Sequence, residues 1–262
     1  MKIGVVFPQT EIGPDVGAVR AYGQCADQLG YHHVLAFGHV VGADPAIHRG
    51  WKGPYDVRTQ LHEPFVRFGL LAGNASLHFT TGVLILPQRE TVLVAKQAAE
   101  LDLPSGGRLR LGVGVGWNPV EYVALGQDFA VRGARLDEQV DLLAQLWTQS
   151  SVTYQGRFDQ VDGAGLWPLP IQRPIPLWLG GGSAPAYRRT GRLADGGFPI
   201  MAPGPSRQQR RQLWPTPRQR PDATPRAWAW RAGRTGTGTP TTWLSRRCAG
   251  EVQERPTSGS TR

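Results

Sequence analysis

Leu109-Arg110-Leu111-Gly112-Val113-Gly114-Val115-Gly116-Trp117-Asn118 is the stretch whose reading decides the fold. Arg110 apart, its first half is apolar with β-branched members, the mark of a strand buried on both faces. Its second half alternates glycine with valine and then turns polar. Glycine at such a place does one of two things. It lets a ligand approach the backbone, or it relieves packing where a strand bends. In parallel sheets ligands sit off the carboxyl ends of strands, so the first use would make this strand end a cofactor wall. No Gly-Lys-Ser/Thr follows and the spacing is not Gly-x-Gly-x-x-Gly, so this is neither a phosphate loop nor a dinucleotide fingerprint.

Outward from this strand the chain alternates. Residues 2–8 (KIGVVFP), 32–38 (HHVLAFG) and 77–86 (LHFTTGVLIL) read as strands. Residues 174–179 (PIPLWL) and 196–201 read the same way. Helices are expected over 16–29, with Gly30 as its C-cap, and over 63–75, 91–103, 132–148 and 185–193. The helix over 132–148 carries Leu136, Val140, Leu143 and Trp147 on one stripe. Residues 152–159 read as a strand or hairpin arm. Residues 42–60, with Trp51 and Tyr55, read as a long loop, and such loops are usually functional or disordered. Strict β-α alternation implies a parallel sheet with right-handed crossovers. Six strands are counted; a (β/α)₈ barrel needs two further units.

The net charge of +9 invites a nucleic-acid reading, but its distribution removes it. Residues 206–262 hold 12 Arg and 3 acidic residues, while residues 1–205 hold 17 of each sign. The body is therefore neutral, and all the excess lies in the tail. That tail has no Ile, Phe, Tyr, Met, Lys, His or Asn, four Trp, and no helical or strand period. Arg, Pro, Ala, Gly and Trp are what GC-rich DNA encodes out of frame. The expectation is a (β/α) barrel domain over 1–205 and, over 206–262, a frameshifted segment, against the alternative of a basic disordered tail. Such a tail would bind nucleic acid without specificity. Cys25 and Cys248 fit no CxxC pattern, no leader peptide is read after Met1, and no apolar run approaches 18 residues. A cytoplasmic protein without a membrane span is expected.

Residues 77–126, LHFTTGVLILPQRETVLVAKQAAELDLPSGGRLRLGVGVGWNPVEYVALG, resemble the central segment of the luciferase-like monooxygenase superfamily. KIGVVFPQTEIG at the start and PIPLWLGGGSAPAYRRTGRLADGGFP over 174–199 resemble matching parts, so the likeness covers about residues 1–203. The branch most resembled is that of coenzyme F420-dependent oxidoreductases. The resemblance implies a TIM-like (β/α)₈ barrel, with the last two β/α units here missing or replaced, and a deazaflavin at the strands' carboxyl ends. FMN is the alternative cofactor. It implies hydride transfer with a small organic substrate, FMN-dependent monooxygenation as the alternative, and an inactive fragment as a third reading. Family members commonly dimerise, so a homodimer is implied as well.

Carried over by position, the second strand ends at Gly38-His39, where F420 members often have Asp-His. The acid is absent, and His39 is the candidate proton-transfer residue beside a plain structural alternative. The third strand's bulge, with a non-prolyl cis peptide behind the ring, matches Gly82-Val83. Gly114, Gly116 and Asn118 match a cofactor-contacting segment. Gly180, Gly181, Gly182 and Ser183 match the segment that cradles the cofactor's phosphate at a helix start. The other histidines do not group, so no metal is expected. Trp51, Tyr55 and Trp117 are open between lining a pocket and anchoring a loop. The Arg188, Arg189, Arg192 run reads as a solvated face, and Glu121 as a cap or surface acid.

Overall fold

The computed structural model describes residues 2–199 of the 262-residue chain. The readings made for residues 206–262 lie outside the described residues. Six strands form one parallel sheet in the order β1-β2-β3-β4-β7-β8, curled into a half-barrel. They are β1 (Gly4–Val6), β2 (His33–Gly38), β3 (His78–Ile85), β4 (Leu109–Gly114), β7 (Leu177–Gly181) and β8 (Gly196–Pro199). The helices are α1 (Val16–Gln28), α2 (Pro64–Ala72), α3 (Thr91–Asp102), α4 (Pro119–Ala124), α5 (Arg132–Thr148) and α6 (Ala184–Leu193). A separate antiparallel hairpin, β5 (Val152–Gln155) and β6 (Gln160–Ala164), follows α5. The arm expected over 152–159 is thus the first of a pair, and the second arm was not anticipated.

The helices begin and end where local chemistry provides for them. Asp15 accepts the Gly17 N–H at 2.7 Å to start α1, and Gly30 leaves it with φ +76°. Glu63 accepts the Val66 N–H at 3.0 Å, with Pro64 opening α2. On α5 the stripe Leu136, Val140, Leu143 and Trp147 is buried as expected, joined by Leu142 and Leu146. The Trp147 indole donates to the Ala95 carbonyl at 3.0 Å and ties α5 to α3. A contiguous core, with Val34, Phe79, Leu109 and Leu111 on the sheet and Tyr22, Phe68, Ala98 and Leu143 on the helices, fills the space between the layers.

Among the described residues the sheet's one irregularity lies in β3. Ala36 and Gly38 of β2 pair with Thr81 and Leu84, and Arg110 and Val113 of β4 flank the span from Thr80 to Leu84. Both neighbours therefore meet one extra residue in β3, which is a bulge. The Gly82–Val83 peptide within it is cis. Thr81 restores the hydrogen bonding lost there. Its hydroxyl donates to the Gly112 carbonyl at 2.7 Å and accepts the Gly112 N–H at 2.8 Å. Gly112 is required by this closeness: a Cβ would lie 1.9 Å from the Thr81 carbonyl oxygen.

β7 begins at Leu177 rather than at residue 174. Pro174 and Pro176 have no N–H to give a ladder; Pro176 contributes its carbonyl, which accepts the Leu111 N–H at 2.9 Å.

Candidate active site at the carboxyl ends of the strands

The strand ends carry a buried polar network that begins at His39, one residue beyond β2. Its Nδ1 lies 2.8 Å from the Tyr55 hydroxyl and 3.4 Å from Glu121 Oε2. Tyr55 reaches it from the long loop, which has no helix or strand between Gly38 and Pro64. Glu121 reaches it from α4, and Asn118 places that helix by accepting the Val120 and Glu121 N–H groups. The Asn118 amide nitrogen donates to the Tyr55 hydroxyl at 3.2 Å. Glu121 also accepts the Val40 N–H at 2.5 Å and the Gln88 amide at 3.2 Å, the latter from the 3₁₀ turn after β3. On the far side, Gln9, just past β1, accepts the Phe37 N–H at 2.5 Å and fixes the end of β2.

Glu121 is 1% exposed, so its reading as a cap or surface acid is corrected. Burial opposes its charge. Hydrogen bonds from His39 and the Val40 N–H, the field of His39 and the Gln88 amide outweigh burial and hold the carboxyl below its ordinary value. Burial, chiefly, raises the Tyr55 phenol; the Asn118 hydrogen bond opposes this, and the charge and hydrogen bond of Glu121 add to it. The hydroxyl therefore keeps its proton at neutral pH.

The expected glycines divide between packing and openness. At Gly114 a Cβ would lie 2.8 Å from one Val83 methyl, and at Gly180 one would lie 2.6 Å from the other. The Val83 side chain thus occupies the gap between β4 and β7, the packing use of glycine that the sequence left open beside ligand approach. Gly82 is needed because a Cβ would strike the Leu35 side chain at 2.3 Å. Gly38 is held against Leu84, and a Cβ at Gly181 would meet Ala186 at 2.5 Å. Gly116 turns with φ +66° beside Ile85. Asn118 is buried, with its oxygen on the Val120 and Glu121 N–H groups of α4 and its nitrogen on Tyr55. Gly182 and Ser183 are exposed, with Ser183 capping α6 through the Ala186 N–H.

Aromatic residues cover the network. Trp117 meets Tyr55 edge-on at 5.2 Å and Trp51 at 5.5 Å between ring centres. The Trp51 indole donates to the Tyr55 carbonyl at 2.9 Å, so it anchors the loop. An open groove beside them is lined by His48, Arg49, Trp51, Lys52, Pro54 and Trp117. The arginine run is not one solvated face: Arg189 and Arg192 both pair with Asp137 of α5, while Arg188 is exposed. His32 and His78 stack at 4.2 Å at the opposite end of the strands. Among the described residues no cluster of His, Cys, Asp or Glu is arranged to hold a metal, and no helix is long and apolar enough to cross a membrane.

The sequence model of the luciferase-like monooxygenase family matches residues 1–229. The chain belongs to that family. Its relatives divide by cofactor. The F420-dependent glucose-6-phosphate dehydrogenase of Nakamurella multipartita is 31% identical over 217 residues, which cover 79% of this chain and 58% of that protein. The FMNH(2)-dependent dimethylsulfone monooxygenase of Pseudomonas putida is 29% identical over 188 residues, covering 69% and 48%. The coenzyme F420-dependent tetrahydromethanopterin reductase of Methanopyrus kandleri shares the fold, with TM-score 0.59 at 17% identity over 75% of this chain and 55% of that one. The chain spans about half the length of the curated relatives it matches. Both F420 and FMN are thus represented among the relatives of this chain within the family.

Proposed function

We propose that the chain is the cofactor-binding part of an F420-dependent oxidoreductase that moves a hydride between the deazaflavin and a small organic substrate in the cytoplasm. The observation that carries this reading is the His39–Tyr55–Glu121 network at the strand ends. It holds an imidazole at the carboxyl end of β2, on Tyr55 and Glu121, and a hydride transfer to or from an oxygen-bearing carbon also needs a group that moves a proton.

The residues fit a flat cofactor. Across β3, β4 and β7 the ends carry Gly82, Gly114 and Gly180 beside the Val83 side chain, a surface of small groups on which a flat ring would lie. Gly182 and Ser183 leave the start of α6 open for the anionic tail, where backbone N–H groups and the helix dipole favour negative charge. When bound, the deazaflavin supplies the hydride chemistry. The chain's own groups do the rest. The backbone at Gly38, Gly82, Val83 and Gly116 shapes the floor, and the Trp51, Tyr55 and Trp117 rings limit water on one side. His39 exchanges the proton.

A second reading, FMN-dependent monooxygenation, is favoured by the match to the dimethylsulfone enzyme over 69% of this chain. Turnover separates the two. Anaerobic loss of oxidised F420 absorbance with an alcohol or sugar phosphate supports the first reading, and oxygen uptake that requires reduced FMN supports the second. Neither response from a folded chain would leave the third reading, an inactive fragment.

A further inference from the structure

The hydrogen-bond accounting around Tyr55 has one consistent solution. A phenol donates one hydrogen bond and accepts up to two. Three groups face this hydroxyl: the Asn118 amide nitrogen at 3.2 Å, His39 Nδ1 at 2.8 Å and Glu121 Oε2 at 3.3 Å. The Asn118 oxygen is taken by the Val120 and Glu121 N–H groups, so its nitrogen is the atom that faces Tyr55 and can only donate. The Glu121 carboxylate can only accept. The single Tyr55 proton goes either to Glu121 or to His39.

Giving it to His39 would set a phenol lone pair against a buried carboxylate oxygen at 3.3 Å, with no proton between them. Giving it to Glu121 satisfies every group, provided that His39 Nδ1 carries a proton and donates it to Tyr55. The second acceptor near Nδ1, Glu121 Oε2 at 3.4 Å, favours the same proton. Charge-assisted hydrogen bonds are the stronger ones, and unpaired buried groups are costly, so the arrangement is decided by the carboxylate.

We propose that Glu121 and Tyr55 are positioning residues that fix neutral His39 as its Nδ1–H tautomer, leaving Nε2 as the ring's proton acceptor. The consequence is directional. In its neutral form the residue takes a proton from a substrate hydroxyl rather than giving one. The imidazolium that results keeps its Nδ1–H toward Tyr55, with the Glu121 charge behind it. Glu121 thereby supplies, 82 residues along the chain from His39, the carboxylate that the Gly38-His39 strand end lacks. This use of the tautomer rests on His39 being the proton-handling residue of the proposed function, but the tautomer itself can be read without cofactor.

The test is ¹⁵N NMR of protein labelled at its histidine rings, with the His39 signals assigned by their loss in His39→Asn. Near pH 8 the wild type is expected to show a protonated Nδ1 and an unprotonated Nε2. In Glu121→Gln the new amide can keep the Val40 N–H on its oxygen and turn its nitrogen toward Tyr55. The phenol proton then passes to His39, and the ring is expected to switch to Nε2–H. Tyr55→Phe should retain Nδ1–H, because Glu121 Oε2 faces the same nitrogen. A wild-type Nε2–H ring overturns the proposal, and so does a Glu121→Gln ring that stays Nδ1–H. Should Glu121→Gln not fold, the wild-type and Tyr55→Phe spectra decide, with Nε2–H in either counting against it. The expected tautomers in a protein that binds neither F420 nor FMN would refute the proposed function and leave this inference standing. The converse result would do the opposite.

Discussion

Thr81→Val is the substitution that most directly probes how the bulge in β3 is held. The change is nearly isosteric and replaces the hydroxyl with a methyl group. In the native structure that hydroxyl satisfies two Gly112 backbone groups, the carbonyl at 2.7 Å and the N–H at 2.8 Å. Thr81 is 0% exposed, so water cannot replace it without opening the sheet. Each buried group left unpaired costs about 1–3 kcal/mol, which sums to about 2–6 kcal/mol for the pair. Thr81→Ser keeps both hydrogen bonds and loses one methyl, a cost of about 1 kcal/mol. Urea unfolding followed by circular dichroism gives both values if the slope is unchanged among the three proteins. In a chain of this size each kcal/mol corresponds to about 2–4 °C in Tm. A Val variant as stable as the Ser variant would refute the reasoning.

Three further outcomes are expected. Burial, chiefly, holds His33 and His78 down to about 4, assisted by the charges of Arg110, His32 and Lys2. An unfolded histidine binds its proton near 6.5, so this contribution is complete above about pH 6.5 and lost as pH falls toward 4; unfolding curves at pH 7, 5.5 and 4.5 should show falling stability, and a flat profile would contradict the assignment. Glu138 accepts the N–H groups of Arg157, Phe158 and Asp159 at 2.8–2.9 Å. Glu138→Ala should therefore loosen the β5–β6 turn, read as faster hydrogen exchange at those three amides with little change in β4. Gly82→Ala should destabilise by pushing a Cβ into Leu35, and Leu35→Ala in the same chain should recover part of the loss. Strictly additive effects would place the clash elsewhere.

The alternation of strands and helices was legible because each long element carries its own period and punctuation. α5 matches its expected bounds for that reason, and Gly30 ends α1 where a left-handed residue is needed. α4 was missed because six residues are too few for an apolar period. Its signal was the start: Asn118, then Pro119, then Glu121 three residues on, the order of a capped helix. The burial of Glu121 has no local signal at all, since its partners His39, Val40, Tyr55 and Gln88 come from three other segments. Likewise the glycines of β4 and β7 could not reveal that Val83 of β3 fills the gap between them. A sequence shows that side chains are absent at a strand end; only the register shows whether a ligand or a neighbour uses the space.

The central claim is tested most directly by equilibrium binding of the cofactor to the intact 262-residue chain. Coenzyme F420 should be titrated by its own fluorescence, and reduced FMN titrated anaerobically in parallel. The account predicts saturable F420 binding at micromolar concentration, weaker binding of reduced FMN, and loss of F420 binding when a side chain is placed at Gly182. Saturable binding of reduced FMN with none of F420 would contradict the proposed cofactor, and binding of neither by a chain with a sharp thermal transition would contradict the proposed site.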